Sequence, residues 1–77
     1  MRELVVHGLY RHFKGKYYMV EGLAEHSETG EPLVVYRALY GERKLYVRPL
    51  SMFLSPVDRE KYPDAPQEMR FALIEEG

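Results

Sequence analysis

Between Leu33 and Phe53 the chain reads LVVYRALYGERKLYVRPLSMF, two apolar runs rich in Val, Leu and Tyr separated by Gly-Glu-Arg-Lys. Such side chains fit a pleated, half-buried surface, and a glycine-bearing break between two of these runs reads as a hairpin. If Gly41 to Lys44 form a four-residue loop, Tyr40 lies opposite Leu45, Ala38 opposite Val47 and Tyr36 near Pro49. Val34, Tyr36, Ala38, Tyr40, Leu45 and Val47 then share the core face, and with Val20 and Phe53 we expect Val34, Tyr36, Ala38, Leu45 and Val47 to be largely buried. The reverse face carries Leu39 opposite Tyr46 and Arg37 opposite Arg48. Like charges across a strand pair repel, so the two arginines need either a carboxylate, for which Glu21 is the nearest, or an anionic partner. A one-residue change in loop length exchanges the two faces.

The remaining segments fall around this hairpin. Leu4-Val5-Val6 is a short apolar run, expected to be weakly ordered on its own and suited to self-association. Gly8 breaks it. Leu9 to Phe13 reads as a strand with Leu9, Arg11 and Phe13 on one side and Tyr10 and His12 on the other. Lys14-Gly15-Lys16 is a basic turn, and Lys16 to Glu25 is a longer strand with Tyr18, Val20, Gly22 and Ala24 on one face. Gly22 inside that run suggests a bulge or sharp bend. His26 to Pro32 is a polar loop. Pro49 should end the last hairpin strand, and Leu50, Phe53 and Leu54 have the spacing of a single helical turn. Val57 to Pro66 is a charged, proline-marked connection whose Asp58-Arg59-Glu60-Lys61 core can wind into one turn. Gln67 to Glu75 alternates, with Met69, Phe71 and Leu73 on one side, as a last strand would.

These elements predict a mainly β protein, a small five-stranded antiparallel SH3-like barrel with a short helical turn before the last strand, in a single domain over residues 1–77. An OB-type barrel is the nearest competitor, weakened by the lack of a longer helix between strands. A 77-residue domain buries a limited core, and without cysteine no disulfide or cysteinate metal site can brace it. No apolar run approaches the roughly 20 residues of a membrane-spanning helix, so we expect a cytoplasmic protein without membrane contact. Eleven basic and twelve acidic residues leave no bulk field for polyanions.

Three blocks, Tyr10-Arg11-His12-Phe13-Lys14-Gly15, Tyr36-Arg37-Ala38-Leu39-Tyr40-Gly41 and Val47-Arg48-Pro49-Leu50-Ser51-Met52-Phe53, together with His26-Ser27-Glu28-Thr29, resemble the DUF1653 family. The resemblance covers residues 8–54, with 1–7 as an N-terminal extension and 55–77 as a C-terminal connection, strand and tail. It implies a small bacterial cytosolic protein and brings no reaction or catalytic residue with it.

The residues themselves point to binding rather than catalysis. Ser27 beside His26 and Glu28 is the one hydroxyl near a base and an acid, and adjacent residues of an extended chain point apart, so no relay is expected. His26 with Glu28 lacks a third ligand at any metal-site spacing, so no metal or other cofactor is expected. Seven tyrosines are the more informative feature. Tyr10, His12, Tyr18, Arg37, Tyr46 and Arg48 are the candidate binding residues, suited to a peptide, a second subunit or an anionic ligand. The favoured reading is a non-enzymatic protein- or peptide-interaction module, with a homo-oligomer among its forms. The alternative is a nucleic-acid-binding barrel in which Lys14, Lys16, Arg43 and Lys44 join Arg37 and Arg48 on phosphates while tyrosines stack on bases.

Overall fold

The computed structural model describes residues 3–74; Met1, Arg2 and the tail from Glu75 to Gly77 lie outside the described residues. Five strands, β1 (Leu9–His12), β2 (Tyr17–Glu25), β3 (Pro32–Ala38), β4 (Leu45–Pro49) and β5 (Phe71–Leu73), are joined by turns and loops, with one helical turn, α1 (Leu50–Phe53), directly after β4. They form one antiparallel sheet in the order β4-β3-β2-β1-β5. β4 and β5 are therefore edges, and the sheet is not closed into the expected barrel. It is rolled instead. The Arg48 guanidinium of β4 lies 5.7 Å from the centre of the Phe71 ring of β5, so the two edge strands meet through side chains rather than backbone.

The hairpin register differs from the expected one. β3 ends at Ala38, six residues connect it to β4, and Arg37, not Tyr40, faces Leu45, with Tyr36 opposite Tyr46 and Val34 opposite Arg48. The connection bends through left-handed residues at Gly41 (φ 58°) and Arg43 (φ 55°), which makes room for the longer loop. The shift is three residues, an odd number, so the faces of β4 exchange. Val34, Tyr36 and Ala38 are buried as expected, but Leu45 and Val47 point outward and are 51% and 62% exposed. Tyr46 and Arg48 take the concave side instead. Arg37 and Arg48 consequently lie on opposite faces and are not cross-strand neighbours.

Pro49 sits in a strand because its nitrogen needs no partner there. The Ala38 N–H bonds the Lys44 carbonyl, so hydrogen-bonded pairs recur at Tyr36–Tyr46 and Val34–Arg48. The backbone groups of Leu45, Val47 and Pro49 then point away from β3, and the missing proline donor falls on the open edge.

β2 carries the bulge that Gly22 suggested. Val20 faces Tyr36 and Gly22 faces Val35, leaving Glu21 as the extra residue. Past this point the alternation inverts: Leu23, not Gly22 or Ala24, stands opposite Val34. It joins Leu4, Leu50 and Leu54 along an apolar groove at one end of the sheet.

Tyr10, Val20, Val34, Tyr36, Phe53 and Phe71 form the core, with Leu4, Tyr18, Leu50, Leu54 and Leu73 packed around it. The Leu4-Val5-Val6 run, expected to be weakly ordered, lies in a segment that hydrogen bonds tie down. The N–H of His7 bonds the Val20 carbonyl, the N–H of Val20 bonds that of Gly8, and the N–H of Val5 donates to the Tyr10 hydroxyl. After α1, the Pro56–Met69 bridge brings the connection back, and buried Val57 anchors it. Among the described residues no helix is long and apolar enough to cross a membrane.

Candidate functional site

Tyr10, His12, Tyr18, Tyr46 and Arg48, five of the six candidate binding residues, share the concave face of the sheet, because Tyr10 pairs with Tyr18, His12 follows two residues on, and Tyr46 and Arg48 face Tyr36 and Val34. Arg37 alone lies on the outer face. There its Nε donates to Glu21 at 3.1 Å and its Nη1 to the Arg43 carbonyl at 2.8 Å. The carboxylate expected for this arginine is thus in place, supplied by the bulge residue.

The five concave residues play different parts. Tyr10 is a core residue, its ring edge-on to Phe53 and its hydroxyl bound by the Val5 N–H. Tyr18 sits half-buried among Tyr36, Tyr40, Phe71 and His12, and its hydroxyl shares a 2.8 Å hydrogen bond with that of Tyr40. Burial, then that bond, pushes its phenol above the ordinary range. Tyr46 leaves 42% of its surface exposed beside the Tyr36 ring. Arg48 donates from Nε to the Tyr36 hydroxyl at 3.2 Å and covers Phe71 with its guanidinium.

His12 is half-buried against Phe13 and Phe71, and its Nδ1 accepts the Lys14 N–H at 3.1 Å. That contact leaves Nε2 as the donor of the neutral ring. Burial first, and then the positive charges of Arg48, Arg70 and Lys14, pull its pKa down to about 4. His12 is therefore neutral at neutral pH in a cationic surrounding.

That surrounding is a cleft of about 290 Å³ lined by His12, Phe13, Lys14, Arg48, Asp58, Lys61, Tyr62 and Arg70. It is built from the β1–β2 turn, the concave side of β4 and the connection leading to β5. The sequence reading missed Lys61, Tyr62 and Arg70, because they reach the cleft only through the fold of the connection. There Asp58 Oδ1 accepts the N–H groups of Glu60 and Lys61, the Tyr62 N–H bonds the Asp58 carbonyl, and Arg59 clamps the carbonyls of Ala65 and Gln67. No periodicity in the sequence announces such a loop.

The residues of the nucleic-acid alternative scatter. Lys14 lines the cleft, near the Phe13 and Tyr62 rings; Lys16 lies over the Tyr40 ring; and Lys44 pairs with Glu42 at 3.3 Å in the β3–β4 loop that also contains Arg43. His26 serves its own loop: Nδ1 accepts the N–H groups of Glu28 and Thr29. Among the described residues no group of three or more potential ligands gathers to hold a metal ion.

A search of curated proteins gives no match. Among solved structures, the chain is similar to a protein of the DUF1653 family from Bordetella bronchiseptica, with 36% identity and a TM-score of 0.75 over 91% of this chain and 87% of that one. The profile of the DUF1653 family, described as a protein of unknown function, matches residues 8–73, which extends the resemblance from the three sequence blocks through β5. On both grounds, the chain belongs to the DUF1653 family.

Proposed function

We propose that this chain is a non-enzymatic protein-interaction module that takes an extended segment of a partner protein along β4. The observation that carries this reading is the open β4 edge. The N–H and C=O groups of Leu45 and Val47 point away from β3, and the side chains of Leu45, Tyr46 and Val47 are substantially exposed beside them. Strand addition uses such backbone groups for affinity and alternate side-chain positions for selectivity. The strand order, the helical turn between β4 and β5, and the contact of Arg48 with Phe71 support reading the sheet as a partly rolled SH3-type module. The scatter of Lys16, Arg37, Arg43 and Lys44, and the carboxylates already on Arg37 and Lys44, weigh against the nucleic-acid alternative.

Val47→Pro tests the edge selectively, because the Val47 N–H faces outward and the inner ladder of β4 does not use it. Random heptapeptides selected on the full chain should lose binding to this variant while its circular dichroism and melting behaviour stay those of a folded protein. Peptides that bind Val47→Pro as well as wild type, or a selection that enriches nothing, would overturn the reading.

A further inference from the structure

The cleft around His12 has a charge pattern that the β4 edge does not use. Four cations, Lys14, Arg48, Lys61 and Arg70, line it, against one carboxylate, Asp58. Asp58 Oδ1 is already engaged by two backbone N–H groups of its own turn. Among the described residues the ion pairs are Arg37–Glu21 and Lys44–Glu42, so none of the four cleft cations has a carboxylate partner. Each has structural contacts, but these leave most donors uncommitted. Arg48 uses Nε on the Tyr36 hydroxyl, and Arg70 uses Nε on the Ser55 hydroxyl at 3.3 Å. Lys14 lies 5.2 Å from the centre of the Tyr62 ring and Lys61 5.6 Å from it, contacts that orient the ammonium groups without neutralising them.

Gathering four like charges in a small protein is unfavourable unless something offsets the repulsion. His12 registers part of that repulsion: after burial, the larger cause, three of these cations, Arg48, Arg70 and Lys14, disfavour its own proton. The neutral ring still brings an N–H, so the cleft walls hold two guanidinium groups, two ammonium groups and an imidazole donor. With His12 neutral, the formal charge of the lining is +3, four cations less one carboxylate. A singly charged carboxylate would leave most of this unmatched. A phosphate group carries about −1.5 to −2 at neutral pH and presents several strong acceptors, the geometry that guanidinium forks suit best.

We propose that the cleft formed by His12, Lys14, Arg48, Lys61 and Arg70 is a binding site for a dianionic phosphate group. It is independent of strand addition at β4, because the backbone groups proposed for that role belong to Leu45 and Val47, neither of which lines the cleft.

The test uses the full chain at pH 7, with ionic strength held constant by sodium chloride, and two probes: inorganic phosphate and O-phosphoserine. At a probe concentration tenfold above Kd, the melting midpoint should rise by at least about 4 °C. Backbone resonances of His12, Lys14, Lys61 and Arg70 should shift in saturable fashion. The His12 imidazole should titrate at higher pH with probe than without, since a bound anion offsets Arg48, Arg70 and Lys14. A stronger response to phosphoserine assigns the site to phosphate esters, and a stronger response to inorganic phosphate assigns it to the free ion; either supports the proposal. The double variant Lys14→Gln, Lys61→Gln changes two exposed side chains, so it should fold, and it should lose at least tenfold in affinity. Val47→Pro should respond as wild type does. Phosphate acting no more than chloride, binding that leaves the His12 titration unmoved, or a double variant with unchanged affinity would each overturn the proposal.

Discussion

The rings of Phe53 and Phe71 lie face to face, 4.1 Å between centroids and 8° from parallel. One belongs to the helical turn after β4 and the other to the edge strand β5, and both are fully buried. The backbone joins these two elements just beyond their ends, where the Arg70 N–H bonds the Ser55 carbonyl and Pro56 bridges Met69, and this stack, flanked by Tyr10, Tyr36 and Arg48, fills the core between them.

Phe53→Ala should therefore be severe. Removing a buried phenylalanine costs about 3–5 kcal/mol, while a domain of this length is stable by roughly 0.05–0.15 kcal/mol per residue. Urea unfolding should show a collapse of the midpoint or a chain already unfolded in buffer. A loss below about 1 kcal/mol would mean the stack is not a main support of the core.

Gly8 and Gly22 should respond oppositely to alanine. A Cβ on Gly8 would stand 2.8 Å from the Val5 carbonyl oxygen and 3.0 Å from Leu73 Cδ1, whereas nothing lies within 4 Å of one on Gly22. Gly8→Ala should cost about 1–3 kcal/mol by overpacking. Gly22→Ala should be neutral or stabilising by up to about 1 kcal/mol, through the reduced freedom of the unfolded chain. Thermal unfolding of the two variants side by side checks the ordering.

The two arginines expected to be neighbours should likewise part company. Arg37 and Glu21 form a pair on an exposed face, and a double-mutant cycle between them should return a coupling of no more than about 1 kcal/mol, shrinking with salt. Arg48→Ala uncovers Phe71 and leaves the Tyr36 hydroxyl without its donor, for a loss of about 1–3 kcal/mol. Equal losses from Arg37→Ala and Arg48→Ala would contradict their placement on opposite faces.

His12 makes the fold sensitive to acid. Its folded pKa, about 4, lies below the ordinary 6.5, so between those values the unfolded chain takes up a proton that the native chain refuses. Its contribution to stability is thus present above pH 6.5 and is lost as the pH falls through 4. His12→Gln should flatten the melting midpoint between pH 6.5 and 5, above the range where most carboxylates titrate. Arg70→Gln should raise the His12 pKa measured by NMR. A wild-type midpoint constant over that interval would rule this linkage out.

Much of the sheet was legible because side-chain alternation is local. Val34, Tyr36 and Ala38 read correctly from their own period, Gly22 marked the bulge, and Pro49 marked the passage from β4 into α1. β4 misled because both of its faces are apolar enough to serve as core, and hydropathy favours Leu45 and Val47 over Tyr46 and Arg48. The deciding fact is the left-handed backbone at Arg43, a conformation that a non-glycine residue does not advertise. Five of the six candidate binding residues fell on one face because they alternate within β1, β2 and β4. Lys61, Tyr62 and Arg70 were illegible for the opposite reason: the connection carrying them is held by Asp58 and Arg59 through single side-chain to backbone contacts, which follow no period.

The bulge at Glu21 makes the count of residues in β2 matter as much as their identity. Replacing Glu21 alters one exposed carboxylate and its arginine. Deleting it removes the extra residue and not the pairing: Val20 stays opposite Tyr36, Gly22 opposite Val35 and Leu23 opposite Val34, so the ladder runs unbroken and what is lost is the bend and the carboxylate of Arg37. Chain length between Val20 and Leu23 thus sets the bend of β2, a piece of structural information that no side chain spells out. A mutational scan that only exchanges letters would pass over it, while one that removes single positions would find here a change in the bend of the sheet with both faces of β2 intact.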